Sequence, residues 1–191
     1  DLERLDSGRL PLEPEVIGLT DLAEQAVSSM SGAAGAAGVT LSLVPDRSAA
    51  GVAVWADPHR MTQVLANLLG NAIKFSERGA PIAVHVSASG DLGVIAVVDT
   101  GRGIPAEQLE SVFERFGQVD VGDARRDGGT GLGLAIAREI TERSGGQIAV
   151  TSAVGEGTTF TVTLPLHRGP AEDPTEDPTA ADGPLDVMAE P

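Results

Sequence analysis

The stretch PHRMTQVLANLLGNAIKF, residues 58–75, has two faces of opposite character. Asp57 directly before it and Pro58 at its first position are typical of a helix start, because Asp accepts hydrogen bonds from free backbone amides and proline tolerates that position. One face is apolar and consists of Val64, Leu65, Leu68, Leu69, Ala72 and Ile73. This spacing predicts one long amphipathic helix that packs its apolar face on a core.

The other face of this helix carries Gln63, Asn67, Asn71 and Lys74, at spacings of 4, 4 and 3 residues. An ordinary solvated face is the simplest explanation, but such faces usually carry paired charges rather than amides. Amide oxygens suit a magnesium ion that keeps water and phosphate oxygens as its other ligands, and Lys74 could neutralise a phosphate oxygen. The stripe therefore fits either a solvated surface or a magnesium triphosphate site.

The segment DTGRGI, Asp99 to Ile104, follows the apolar run GVIAVVD. Its first carboxylate is expected near the edge of the core, where an unpaired charge is unfavourable and needs a donor. The exocyclic amine of adenine is such a donor, whereas guanine has a carbonyl oxygen at that position. Gly101 and Gly103 permit a tight turn and a close approach to a flat base. A plain Asp-Gly turn after a strand explains the segment equally well.

The segment GGTGLGLAIA, residues 128–137, runs from a glycine-rich loop into a helix. Free amides at a helix start bind phosphate, and glycines let the chain approach it closely. The spacing lacks the GK[ST] of a P-loop and does not match a dinucleotide-binding fingerprint. A glycine-rich helix start that packs closely on a sheet is the structural alternative.

The remaining patterns predict mixed secondary structure with antiparallel hairpins. Helices are predicted at residues 21–37, with fraying after Ser31, at 105–112 and at 132–144; strands are predicted at 39–44, 52–56, 82–89, 93–99, 147–153 and 158–166. This order indicates the α/β (α+β) class: a two-layer sandwich of a mixed, largely antiparallel sheet and about three main helices.

Composition limits the classes of function. The formal net charge of −15 argues against a nucleic-acid groove, which needs clustered Lys and Arg. No apolar run approaches the ~20 residues that span a bilayer, so a soluble piece is expected. Residues 1–15 resemble a helix end and a linker, residues 16–167 form the predicted domain, and residues 168–191 form an acidic tail that we expect to be disordered.

Taken in order along the chain, these segments resemble the ATP-binding domain shared by histidine kinases, gyrase-type topoisomerases, mismatch-repair proteins and a heat-shock chaperone, the GHKL superfamily. NLLGNAIKF resembles the kinase N box, DTGRGI the G1 box, VFERF (residues 112–116) the F box, GTGLGLA the G2 box and GEGTTF (residues 155–160) the last glycine box. The resemblance covers about residues 20–166.

The resemblance implies ATP and Mg²⁺ as cofactors, with Asn71 as a magnesium ligand assisted by Asn67. It implies catalytic roles for Asn67, Lys74 and Arg115, and a lid at residues 117–130 that Phe113 and Phe116 anchor. The nucleotide-binding set that it implies is Asn71, Lys74, Asp99, Gly101, Gly103, Ile104, Thr130, Gly131, Leu132, Gly133 and Thr158.

Hydrolytic members of the superfamily place a Glu general base where this chain has Asn67, so efficient ATP hydrolysis is not expected. His59, His85 and His167 do not fit the setting of a phosphoacceptor. The resemblance therefore implies that phosphate passes to a His on a dimerisation domain absent from this piece, which is not expected to autophosphorylate alone.

The implied partners are that dimerisation domain and a response-regulator receiver domain. We expect a homodimeric full-length protein, a monomeric piece and a cytoplasmic catalytic domain, whether or not the parent is membrane-anchored. The alternatives are an anti-sigma-type serine kinase or partner-switch module, a degenerate nucleotide-binding scaffold and, least favoured, a hydrolytic ATPase.

Overall fold

The computed structural model describes residues 11–114 and 131–167. In these two ranges the elements run β1 (Glu15–Gly18), α1 (Leu19–Ala37), β2 (Thr40–Pro45), β3 (Ala53–Ala56), α2 (Pro58–Phe75), β4 (Pro81–Ser89), β5 (Leu92–Asp99), α3 (Gly133–Arg143), β6 (Gln147–Ala153) and β7 (Gly157–Pro165). Short 3₁₀ turns lie at Arg47–Ala49, Ala106–Gln108 and Ser111–Phe113. None of the described helices has the length and apolar character needed to cross a membrane.

The main sheet has the strand order β2-β4-β5-β7-β6. β2 runs parallel to β4, and the other neighbouring pairs are antiparallel. Burial alternates along β5, so one face of the sheet lies under the helices and the other is less covered. This arrangement confirms the predicted two-layer sandwich with a mixed, largely antiparallel sheet.

Helix α2 has the predicted bounds and lies between the other two helices, because α1 and α3 both pack against it. Its apolar stripe is in the core: Met61, Val64, Leu65, Leu68, Leu69 and Ala72 are all buried. Full burial of one large aliphatic side chain contributes about 1.5–3 kcal/mol. The apolar face therefore holds α2 in place and fixes the direction of its polar face.

Strand β1 was not predicted, since its four residues are too few to show a period. It pairs with β3 in a separate two-stranded sheet, in which Val16 lies opposite Trp55. The other edge of β3 meets the end of the domain through a bridge from Val54 to Leu166 and a hydrogen bond from the His167 amide to the Ala53 carbonyl of 2.8 Å. The two ends of the described chain therefore meet at this small sheet.

The structure corrects two local predictions. Helix α1 begins at Leu19 and continues without fraying to Ala37, where Gly38 ends it with a φ of 74°. The helix predicted at residues 105–112 is instead a pair of 3₁₀ turns. The other predicted elements have ends within one residue of the observed ones, a difference that is usual for helix and strand boundaries.

Asp57 ties the start of α2 to the incoming chain. Its Oδ1 accepts a hydrogen bond from the Arg60 amide at 3.0 Å, and its Oδ2 accepts one from the Glu13 amide at 2.9 Å. Burial acts to raise the pKa of Asp57, but the amides of Glu13, Arg60 and His59, together with the Arg60 charge, outweigh it and hold the pKa below its ordinary value. The predicted helix cap is confirmed, and it has a second, tertiary partner.

We expect Asp57→Ala to lower the free energy of unfolding by about 1–2 kcal/mol, because it leaves two backbone amides without an acceptor. Chemical denaturation measures this loss. Asp46→Ala is the matched control, since Asp46 caps only an exposed 3₁₀ turn. The lowered pKa means that the Asp57 contribution to stability is present above the ordinary pKa of 3.8 and is lost as the pH falls through the folded-state pKa. An equal loss in both variants would contradict the tertiary role.

Candidate functional site

Asp99, the last residue of β5, has its two carboxylate oxygens in different environments. Oδ1 accepts hydrogen bonds from the amides of Gly101 at 2.8 Å and Thr158 at 3.2 Å. No described residue donates to Oδ2, which keeps contact with solvent. Burial raises the pKa of Asp99, and the two amides offset part of that increase. One oxygen is thus held by the protein and the other is left open to a ligand.

The glycines after Asp99 are required by close backbone contacts. A Cβ atom on Gly101 would lie 2.5 Å from the Phe75 carbonyl oxygen and 2.9 Å from Asp99 Oδ1. Gly103 has a φ of +73°, and a Cβ atom there would lie 2.0 Å from the Ala153 carbonyl oxygen. The loop is therefore packed between the end of α2 and the β6–β7 hairpin, and no larger residue fits at either position.

The end of α2 contacts this loop through Phe75. The Phe75 carbonyl accepts a hydrogen bond from the Arg102 amide at 3.4 Å. The Arg102 guanidinium carbon lies 4.4 Å from the centroid of the Phe75 ring, and Lys74 Nζ lies 4.8 Å from it. Such cation–π contacts stabilise a cation beside an aromatic ring. Two positive side chains thus lie where the polar face of α2 meets the glycine loop; Arg102 was not predicted as a site residue.

On the other side of Asp99, strand β7 supplies Thr158, which lies directly opposite Asp99 in the strand register and is buried. Its hydroxyl lies 3.0 Å from Ser152 Oγ on β6. The same Ser152 oxygen accepts a hydrogen bond from the Ile104 amide at 2.9 Å. Sequence reasoning missed Ser152, although the hairpin register that pairs it with Thr158 was a usable signal.

Helix α3 begins against the middle of α2. The Asn67 side-chain nitrogen donates a hydrogen bond to the Gly133 carbonyl at 2.9 Å. Because a carbonyl can only accept, this contact uses the nitrogen of the Asn67 amide and leaves its oxygen available. Gly131 precedes the helix with a φ of +66°. Leu132 is buried, so it could reach a ligand only through its backbone.

Asn71 lies one turn after Asn67 on the same face of α2. Its side chain is half-buried and makes no hydrogen bond to any residue in the described ranges. Two amide oxygens, on Asn67 and Asn71, are therefore open along one face of the helix. This donor set fits Mg²⁺, which needs only one or two protein oxygens when phosphates and water complete its shell.

Some predicted site residues lie outside the described ranges, namely Arg115, Thr130 and the rest of the lid at 117–130, with Phe116. Phe113 is described, and its ring packs edge-on against Phe160, with centroids 6.1 Å apart at an interplanar angle of 82°. The other predicted site residues lie on α2, the loop after β5, β7 and the start of α3. Hydrogen bonds from Asn67 to Gly133, from the Arg102 amide to Phe75 and from the Thr158 amide to Asp99 join these elements.

The family model described as "Histidine kinase-, DNA gyrase B-, and HSP90-like ATPase" matches residues 56–168. The chain belongs to this family. The match includes α2, the loop after β5, the start of α3 and the last hairpin, which are the elements that carry the predicted site residues.

Known relatives agree with this assignment. The chain is 37% identical over 165 residues to the circadian input-output histidine kinase CikA of Synechococcus elongatus, covering 86% of this chain and 22% of CikA. It is similar to the structure of full-length ShkA in complex with AMPPNP, with a TM-score of 0.76 and 29% identity, over 88% of this chain and 34% of ShkA. The structure of the catalytic domain of histidine kinase ThkA matches with a TM-score of 0.67 and 25% identity, over 80% of this chain and 95% of that one.

The close contact at Gly103 gives a direct test of the packed loop. We expect Gly103→Ala to lower the free energy of unfolding by about 3 kcal/mol or more, since it combines a left-handed backbone with a collision against the Ala153 carbonyl. Gly51→Ala is the matched control, because Gly51 has a φ of +70° with nothing within 4 Å of an added Cβ atom. It should lose only about 1–2 kcal/mol in the same denaturation experiment. Equal losses would show that the loop has room to move.

Proposed function

We propose that this chain is the ATP-binding catalytic domain of a two-component sensor histidine kinase. It would present the γ-phosphoryl group of ATP to a His on a separate dimerisation domain. The observation that carries the proposal is the Asp99 carboxylate, buried at the end of β5 with one oxygen held by backbone amides and the other open, beside the polar face of α2. Family membership and the named sensor-kinase relatives support it.

In this proposal Asp99 Oδ2 accepts a hydrogen bond from the exocyclic amine of adenine. Gly101 and Gly103 form the turn that lets the base lie close to the backbone, and Ile104 and Thr158 line the pocket on either side of the carboxylate. An acceptor that is desolvated and fixed in place discriminates strongly against a ligand that lacks the matching donor.

The phosphates would extend from the base towards the face of α2 that carries Asn67, Asn71 and Lys74. The side-chain oxygen of Asn71, assisted by Asn67, would hold Mg²⁺. When bound, Mg²⁺ would neutralise phosphate charge. Lys74, whose side chain is exposed, would neutralise a phosphate oxygen. The amides at the start of α3, from Thr130 through Gly133, would bind the phosphate end, because free amides at a helix start favour anions. Arg115 would reach the γ-phosphate.

Helix α2 contains no Asp or Glu. Its polar face therefore offers no carboxylate to take a proton from an attacking water, and Asn67 is already hydrogen-bonded to Gly133. Positioning and charge neutralisation are the main sources of catalysis in phosphoryl transfer. The site thus favours transfer to a nucleophile supplied by another domain over hydrolysis.

We extend the proposal to the parent protein. Residues 1–15 would be the end of a dimerisation helix and a linker, residues 16–167 the catalytic domain and residues 168–191 an acidic tail. The dimerisation domain and a receiver domain would be the partners of a homodimeric kinase, with the catalytic domain in the cytoplasm. The anti-sigma-type serine kinase is not favoured, because the relatives are named sensor histidine kinases.

Calorimetric titration with ATP and GTP, with and without Mg²⁺, tests the assignment. We expect wild type to bind ATP in preference to GTP. Asp99→Asn should weaken ATP binding at least about tenfold, because an amide is a poorer acceptor than a carboxylate, and Asn71→Ala should remove the dependence on Mg²⁺. Gln63→Ala is the control, because Gln63 lies earlier on the same face and accepts a hydrogen bond from Arg60. A folded wild-type protein that binds no ATP at millimolar concentration would rule out the proposal.

The raised pKa of Asp99 predicts a pH dependence of binding. The amine needs an ionised carboxylate, so ATP affinity should fall as the pH falls through the folded-state pKa, which lies above the ordinary value of 3.8. ITP is the control ligand, because it has the same phosphates and a carbonyl in place of the amine. The ratio of ATP to ITP affinity should decrease on acidification; a constant ratio would contradict the role of Asp99.

The raised pKa of Asp99 affects stability in the opposite direction from ATP binding. The folded protein holds the Asp99 proton more tightly than the unfolded chain, so the contribution of Asp99 to stability is present at low pH and is lost as the pH rises through the folded-state pKa. At neutral pH, Asp99→Asn should therefore remain folded while it binds ATP weakly. Thermal unfolding of this variant separates loss of binding from loss of structure.

A further inference from the structure

Three polar side chains form a row across neighbouring strands at the helix-facing side of the sheet. Asp99 on β5 lies opposite Thr158 on β7, and Thr158 lies opposite Ser152 on β6. We propose that Ser152 is a positioning residue that sets the nucleotide-base selectivity of the site by fixing the direction of the Thr158 hydroxyl hydrogen bond. This inference rests on the proposed function, because it names how that pocket selects its base.

The direction follows from counting protons on the Ser152 hydroxyl, which has one proton to donate and two lone pairs to accept with. The Gly157 carbonyl lies 2.6 Å from Ser152 Oγ and can only accept, so it takes the Ser152 proton. The Ile104 amide at 2.9 Å can only donate, so it uses one lone pair. The second lone pair remains for Thr158, whose hydroxyl oxygen lies 3.0 Å away. Thr158 must therefore be the donor in that contact.

With this assignment, the Thr158 hydroxyl oxygen can only accept a hydrogen bond from a ligand. Its proton is used by Ser152, and its backbone amide is used by Asp99 Oδ1 at 3.2 Å. Asp99 Oδ2 is also an acceptor when ionised. The wall of the pocket formed by Asp99 and Thr158 thus presents acceptors without a hydroxyl donor, which matches a purine amine and opposes a purine carbonyl.

Ser152 also fixes the positions of the groups it joins. Ile104 ends the glycine loop, and Gly157 is held with a φ of +97° where an added Cβ atom would lie 2.0 Å from the Asp99 carbonyl oxygen. One hydroxyl therefore connects the loop after β5 with the β6–β7 hairpin on both sides of Asp99. Without it, the Thr158 hydroxyl would be free to turn and donate to a ligand carbonyl.

The test measures the affinities of ATP and ITP for wild type, Ser152→Ala and Ser152→Thr. We expect Ser152→Ala to reduce the preference for ATP over ITP by about tenfold, because the released Thr158 proton can pair with the carbonyl of ITP. Ser152→Thr retains a hydroxyl and should keep the wild-type preference. Thr163→Ala is the matched control on the same strand pair, since Thr163 donates only to the Gln147 carbonyl, at 3.4 Å, away from the row.

One result would overturn the inference while leaving the proposed function intact, namely an unchanged ATP to ITP affinity ratio in a folded Ser152→Ala variant. This holds whether both affinities stay at the wild-type level or fall by the same factor, and an equal fall indicates a merely structural role. If Ser152→Ala fails to fold, Thr158→Val removes the acceptor oxygen and should lower the same ratio, and an unchanged ratio there overturns the inference as well. A wild-type protein that binds neither nucleotide overturns the proposed function and this inference together.

Discussion

The candidate site depends on keeping one charged group, the Asp99 carboxylate, at the end of a buried strand. Burial opposes its ionisation, and two backbone amides on one oxygen offset part of that penalty. Those amides reach it because Gly101 has no Cβ atom to collide with the Phe75 carbonyl and because β7 places Thr158 directly opposite. The Asp99 carboxylate thus joins the glycine loop to the last hairpin.

Helix α2 is the second constraint, because it carries both core residues and predicted site residues. Its apolar face is buried between α1, α3 and the sheet. This packing also fixes the direction of the opposite face, which carries Asn67 and Asn71. Both helix ends are also fixed: Asp57 joins the start to the incoming chain, and the Phe75 carbonyl joins the end to the glycine loop. Helix α2 therefore connects the incoming chain at Glu13 with the glycine loop after β5.

Much of this arrangement could be predicted from local pattern. The bounds of α2 followed from its helical period and its Asp-Pro start, and both were confirmed. Strand β1 could not be predicted, because four residues that gain their stability from pairing with β3 carry no period of their own. The hairpin register pairs Ser152 with Thr158, but Ser152 was missed because its hydrogen bonds to the Ile104 amide and the Gly157 carbonyl do not show in a strand pattern.

The sequence by itself determined the fold class, the amide face of α2 and the positions of the glycines, because periodicity, helix caps and backbone freedom are local properties of the chain. Only the tertiary structure decided which side-chain atoms remain open. Asn67 uses its nitrogen on Gly133, Asp99 uses one oxygen on two amides, and Ser152 uses all of its hydrogen-bonding capacity on its neighbours. Hydrogen bonds between residues distant in sequence form only when the strands and helices have packed, so no local pattern contains them.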